Sequence, residues 1–215
     1  AKVSTESLKG KDLSGANLSY VDLSEHDLTG TNLSDSILLR TNLSSNDLRS
    51  TILTNADFRY ANLSESKLPD SLLVNNNFDY ATLKDINFAG KDLSGSSFKQ
   101  ASIEGSYMQN TNLSLAKFVE VDLTKIKNKS IAGSDLSSAS FAHSNLSGIN
   151  LDGVILDDNN FWDANLSGVD FTAADYIDDG SIFVESNLSN SNFEGLNLSP
   201  KQHYSNIFEN KAWDS

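Results

Sequence analysis

A large apolar residue stands at every fifth position along nearly the whole chain, and few architectures can use such a spacing. From Leu8 to Leu123 the series runs unbroken through 24 members; it resumes over ten from Ile131 to Tyr176 and over four from Phe183 to Leu198. Every member is Leu, Phe, Ile, Met or Tyr. The residue before it is most often Asp or Asn, and the one two before it is usually Ala, Ser, Thr or Val, as in Ala16-Asn17-Leu18-Ser19-Tyr20. A period of five matches neither a helix at 3.6 nor a strand at 2, so the chain is read as a repeat architecture.

Over about residues 6 to 198 these units resemble the pentapeptide-repeat family. The resemblance implies an all-β solenoid, a right-handed quadrilateral β-helix with four pentapeptides per coil. It also implies that the central residue and the small residue two before it point inward while the other three point out. A small inward residue beside a large one lets four walls meet around a narrow core, and stacked coils share hydrogen bonds at strand spacing. Asn and Asp suit the corners because their side chains bond nearby backbone. The 38 units make about nine and a half coils, a rod roughly 45 Å long at ~4.8 Å per coil.

Counting by twenties sorts the units onto four sides. One side holds Leu18, Leu38, Phe58, Phe78, Phe98 and Phe118. Three extra residues in 124–130 and two near 178–180, taken as bulges, continue that column through Phe141, Phe161 and Phe183. Phe88, Phe171 and Phe193 then fall together on what is counted as a neighbouring side. Residues 1–198 are thus read as one β-helical domain. Residues 199–215 leave the repeat and are read as a C-terminal cap: Ser199-Pro200 is a helix start, and Tyr204, Ile207, Phe208 and Trp213 form an apolar face. Such a segment is either a lid over the last coil of a monomer or a lid that is also a homodimer contact, a use that the resemblance implies.

Composition excludes several classes. There is no cysteine, hence no thiol chemistry, and no run of about 18 apolar residues to span a membrane. No signal-peptide pattern follows Ala1, and the almost immediate entry into the repeat suits a chain trimmed from a longer one. Nine Asn-Leu-Ser triplets match the glycosylation sequon as a by-product of the repeat, which favours a cytoplasmic, bacterial setting. The three histidines His26, His143 and His203 lie apart, without nucleophile or metal-ligand spacing, so no enzyme, metal or cofactor is expected. The run Asp175 to Gly180 fails as a calcium loop, because Ile177 and Ser186 occupy ligand positions. Thr31, Thr41, Thr51 and Thr111 are inward, which leaves no outward Thr array for ice. His26 is expected to be a hydrogen-bonded polar step stacked over Asn46, with Glu6 below. The inward Lys91 is expected to reach solvent or a carboxylate such as Asp92.

Function rests on the outward positions. Tyr20, Arg40, Tyr60 and Tyr80 end successive units of the Phe-bearing side and should stack one coil apart, and Ile52, Leu72 and Val74 project from the adjacent side. The net charge of −13 is uneven: residues 1–130 carry 16 acids and 14 bases, whereas 131–215 carry 13 acids and two lysines. Asp157, Asp158, Asp178 and Asp179 lie on one side and Asp163 and Glu185 on the Phe-bearing side, together making an acidic edge. The net charge of −11 on all the units between Ile131 and Leu198 amounts to roughly one charge per 1.5 Å of rod at strand spacing, close to that of duplex DNA at about one per 1.7 Å. An acidic rod resembles the family members that mimic DNA, bind DNA gyrase and confer quinolone protection. That implies a protein partner, a type II topoisomerase, and no direct nucleic-acid contact. The alternative is a scaffold or effector-type module with another protein partner, bound through the Tyr ladder or the Ile52/Leu72/Val74 patch.

Overall fold

The computed structural model describes residues 7–70, 72–177 and 180–196. The cap residues Tyr204, Ile207, Phe208 and Trp213, and the pair Asp178 and Asp179, lie outside the described residues.

Four turns and four short flat segments make each coil, and a turn follows each central residue. In most turns its carbonyl accepts the amide three residues on, as in Ala16 to Leu13 at 3.0 Å and Thr41 to Leu38 at 3.1 Å; elsewhere that amide donates to a side chain of the next coil, as Ala56 does to Asn76 Oδ1 at 2.7 Å. The residue two after the centre takes left-handed backbone at most corners, with φ of 63° at Tyr20, 55° at Arg40 and 66° at Gly15. Asp or Asn before the centre stabilises the turn from its side chain: Asn17 Oδ1 accepts both the amide (3.0 Å) and the hydroxyl (2.6 Å) of Ser19. Where this slot holds Asp12, Asp22 or Asp27, the hydroxyl and amide of the residue two on hold the carboxyl below its ordinary value.

Coils then stack in parallel register. Leu13 N–H donates to Asn32 O at 2.8 Å, and Asn32 N–H donates back to Lys11 O at 3.0 Å. Bridges such as Asp12↔Asn32, Asn17↔Ile37 and Asp22↔Asn42 repeat this offset of twenty on successive sides. The offset becomes 23 at Asn112↔Asp135, Lys117↔Ser140 and Asp122↔Asn145, and 22 at Asn160↔Ile182 and Asn165↔Asn187. The first change is absorbed by two 3-10 turns, Leu123–Lys125 and Lys127–Lys129, with Ile126 between them buried in the core.

The second change differs from the simple count. Strand β1, Ile155–Leu156, pairs in parallel with strand β2, Tyr176–Ile177, in the register Ile155↔Tyr176 and Leu156↔Ile177. Tyr176 is therefore not central; it is 51% exposed, and Ile177 packs against the core in its place. The amides of Asp175 and Tyr176 both donate to Val154 O, at 3.0 and 3.4 Å, so one of the two added residues enters here as a bulge. The other follows Ile177.

Inside, seven phenylalanines from Phe58 to Phe183 form one stacked column with centroid spacings of 4.6–5.4 Å. Phe88, Phe171 and Phe193 stand on the opposite wall, not a neighbouring one, since half a coil is ten residues. Their rings meet the column edge-on, as at Phe88–Phe98 (6.1 Å, 88°) and Phe183–Phe193 (5.8 Å, 89°). Inward Ser and Thr hydroxyls satisfy carbonyls of the preceding coil: Thr31 to Leu8 O and Thr41 to Leu18 O, both 2.8 Å, and Ser134 to Met108 O, 2.9 Å. Ser134 Oγ also accepts the Thr111 amide at 3.1 Å, so one small hydroxyl serves two backbone groups.

Lys91 reaches a carboxylate as expected, but a different one: its Nζ donates to Pro69 O and to Asp70 Oδ1, both at 2.9 Å, and not to Asp92. His26 departs from expectation: its Nδ1 is buried and makes no hydrogen bond among the described residues, while Asn46, one coil on at the same place, donates to Leu23 O at 2.9 Å. Glu6 lies outside the described residues.

Phe118→Ala should destabilise the rod by about 3–5 kcal/mol in urea unfolding, the usual range for a buried aromatic truncated to Ala. Lys91→Met should cost about 1–3 kcal/mol by stripping the donor from Pro69 O. Asp70→Asn should leave the unfolding midpoint nearly unmoved, because the Asp70 side chain is 96% exposed. Equal losses in the last two variants would mean that the ion pair, not the carbonyl, is what Lys91 serves.

Candidate partner-binding surfaces

The corner that follows the Phe column carries one unbroken line of side chains. Counted through both insertions it reads Tyr20, Arg40, Tyr60, Tyr80, Gln100, Glu120, His143, Asp163 and Glu185, all with φ between 51° and 63°. Left-handed backbone at a corner throws each side chain outward, directly over its counterpart in the coil below. The guanidinium of Arg40 lies 5.9 Å from the Tyr20 ring and 5.1 Å from the Tyr60 ring, and Tyr60 stacks on Tyr80 at 4.7 Å and 5°. Gln100 donates to Glu120, and Lys99 pairs with Glu120 at 3.6 Å. His143 Nδ1 lies 2.9 Å from Asp163 Oδ2. The Tyr ladder and part of the acidic edge are thus two stretches of the same line.

Beside its lower end stands Trp162, which the sequence reading did not single out. It is 42% exposed, meets the His143 ring edge-on at 4.5 Å, and donates from Nε1 to Glu185 Oε2 at 3.0 Å. Counting by twenties from Tyr80, with the two shifts, was the available signal for the whole line.

Asp157 is half-buried and Asp158 sits exposed at the next corner, φ 53°. Ile52 and Leu72 project from the adjacent wall, 49% and 57% exposed, and Val74 is half-buried beside them. These surfaces are not brought together: Ile52 and Leu72 belong to early coils, Asp157 and Asp158 to late ones.

The family model for pentapeptide repeats (8 copies) matches overlapping windows that run from residue 7 to 127, and again 134–172. The chain belongs to the pentapeptide-repeat family. Its four-sided coil is accordingly the family's right-handed quadrilateral β-helix. Among solved pentapeptide-repeat structures, HetL of Nostoc sp. strain PCC 7120, involved in heterocyst differentiation regulation, is 25% identical. That alignment covers 89% of this chain and 82% of HetL, at a TM-score of 0.44. A trypsin-treated form of QnrB1, a plasmid-mediated fluoroquinolone resistance protein, is 19% identical over 73% of this chain and 87% of its own, TM-score 0.46. A thylakoid-lumen member from Arabidopsis thaliana is 24% identical over 50% of this chain and 68% of its own, TM-score 0.17. No curated protein matches.

Members of this family serve generally as structural or binding proteins, and the surface here offers matching chemistry. An open groove beside the first insertion is lined by Ala101, Ser102, Ile103, Glu104, Asp122 and Lys125. Among the described residues no group of three or more His, Cys, Asp or Glu is placed to hold a metal ion, and no helix is long and apolar enough to cross a membrane.

Charge is handled differently along the rod. In the earlier coils acids have cationic partners: Arg49 reaches Asp47 at 2.5 Å, Arg59 reaches Asp57 at 2.6 Å and Lys125 reaches Asp122 at 3.9 Å. Glu120 is held below its ordinary value by the Gln100 hydrogen bond and then by the Lys99 charge. Between residues 131 and 196 there are eleven acids and neither Lys nor Arg.

The Arg49 hydrogen bonds lower the Asp47 carboxyl to about 2. A lowered folded value contributes stability above the unfolded carboxylate pKa, and that contribution disappears as pH falls toward about 2. Titration followed by carboxyl NMR should place the Asp47 midpoint near about 2. Arg49→Gln should return it toward the usual value; an unmoved midpoint would remove Arg49 as the cause.

Proposed function

We propose that this protein is a non-enzymatic protein-binding rod whose acidic later coils dock on a basic, DNA-binding protein surface. The specific partner proposed is a type II topoisomerase such as DNA gyrase. One observation carries this reading: eleven acids and no Lys or Arg between residues 131 and 196. Asp157 lies after its centre, and Asp158, Asp163 and Glu185 occupy left-handed corners that Tyr, Gln, Leu or Ser fill in other coils, so the backbone there asks for no charge. A rigid line of charge at spacing near that of DNA phosphates draws a basic groove over distance and presents it with fixed anions. The rod's closed hydrogen bonding keeps those positions from collapsing when a partner removes the water. Cytoplasmic location and pairing of two rods through residues 199–215 belong to the same proposal. Pairing would set two acidic segments end to end.

A second reading, a scaffold or effector-type module, is favoured by the exposure of Ile52 and Leu72. It predicts binding through apolar contact with little response to salt.

Gyrase supercoiling, with and without a quinolone, separates the two. The rod should inhibit or protect, and its affinity should fall steeply between low and physiological salt. Asp157→Asn, Asp158→Asn, Asp163→Asn and Glu185→Gln together should reduce binding at least ~10-fold, with the salt slope flattened. No binding at low salt would sink the topoisomerase reading. Loss only in Ile52→Ser/Leu72→Ser would favour the scaffold.

A further inference from the structure

We infer that Trp162, Asp163 and Glu185 form an arginine-receiving anchor, the point at which a basic protein partner first locks onto the acidic coils. The inference rests on the proposal that these coils are the docking segment, and it names the residue of the partner that they take.

The argument begins with a contrast along one corner line. In its early stretch the line supplies its own cation: Arg40 stands between Tyr20 and Tyr60, its guanidinium within 5.1–5.9 Å of both ring centroids. In its late stretch it presents two carboxylates, Asp163 and Glu185, with the Trp162 ring beside them and the His143 imidazole 2.9 Å from Asp163, and neither Lys nor Arg exists between residues 131 and 196 to serve them. The early stretch brings its own guanidinium to its rings, and the late stretch does not.

Trp162 is held for this use. Its amide is bonded to Asn160 Oδ1 at 3.0 Å, its Nε1 to Glu185 Oε2 at 3.0 Å, and its edge lies against His143 at 4.5 Å. An exposed indole held by two ring contacts on a bonded backbone loses little freedom when a partner covers it, which is the property of an interface anchor. Its neighbours at the same place in their units are apolar: Val119 and Ala142 precede it and Val184 follows, stacked through Glu120 to Ala142 (3.0 Å), His143 to Trp162 (2.9 Å) and Asp163 to Val184 (2.9 Å) backbone bonds. Ile182, 46% exposed, flanks the strip on the same wall. A cationic side chain over Trp162 therefore finds apolar surface for its stem and carboxylates for its head.

Arginine suits this geometry better than lysine. A planar guanidinium can lie on an indole face and still donate in its own plane to carboxylates such as Asp163 and Glu185, which stand one coil apart on the adjoining corner. An ammonium, a strongly hydrated point charge, gains mainly from the carboxylates.

Binding of fluorescein-labelled octa-arginine and octa-lysine peptides at matched ionic strength tests the inference on the full chain, with folding of each variant checked by circular dichroism. Octa-arginine should bind more tightly than octa-lysine, and Trp162→Ala should weaken octa-arginine about 10-fold while moving octa-lysine by less than about 2-fold. Trp162→Phe, which keeps a ring but loses the bond to Glu185, should fall between. In a Trp213→Phe background, octa-arginine should quench the Trp162 emission. Unchanged octa-arginine affinity in Trp162→Ala overturns the anchor, as does an equal loss for both peptides. If the anchor fails while Asp157→Asn/Asp158→Asn still weakens both peptides, the acidic docking segment stands without it. If neither peptide binds the unmodified protein at low salt, anchor and docking segment fall together.

Discussion

Each coil is tied to the next by parallel backbone hydrogen bonds at a constant offset, and this makes equivalent positions in successive coils physical neighbours. A residue in the chain therefore touches not its sequence neighbours but the residues twenty before and twenty after. Stacked Phe, stacked Tyr and paired Asn side chains all follow from that translation. Asn42 donating to Asp22 at 3.0 Å and Asn62 to Asn42 at 3.3 Å are the same contact made twice. The inward hydroxyls extend the principle into the core, where Ser134 and its equivalents satisfy polar groups that the turns would otherwise leave buried.

Much of this was legible from composition by position. The central residues, the small inward residues and the Phe column need only a count of five and of twenty, because a closed β-helix allows one inward pattern. What the count could not supply was where an insertion enters. Tyr176 and Ile177 are both large and apolar, so periodicity alone could not say which one faces in; the double donation to Val154 O decides it. Counting also placed Phe88, Phe171 and Phe193 on an adjoining wall when half a coil puts them across the core. Lys91 found Pro69 O and Asp70, contacts 21 and 22 residues back that a count of twenty does not point to.

The surface was harder to read, since outward positions are constrained by what they meet and not by the fold. The Tyr–Arg ladder was visible as four recurring residues. Its continuation through Gln100, Glu120, His143, Asp163 and Glu185 keeps no residue type of the ladder, and only geometry unites it. Acidity was visible as a tally over residues 131–215, yet the tally is silent about Trp162, whose role comes from being pinned by Glu185, His143 and Asn160. Aromatic and acidic surfaces that look like rival sites in the sequence are successive stretches of a single edge.

The left-handed corners carry a consequence of their own. Because they are the outermost points of a square cross-section, a partner approaching from any direction meets an edge before it meets a wall. Each edge offers one side chain per coil, spaced about as far apart as adjacent strands. Recognition by such a molecule is close to reading a line of text, with four independent lines on one object. A single substitution alters one letter of one line and leaves the other three unchanged. Repeating coils can thus diverge in what they say while remaining identical in how they fold.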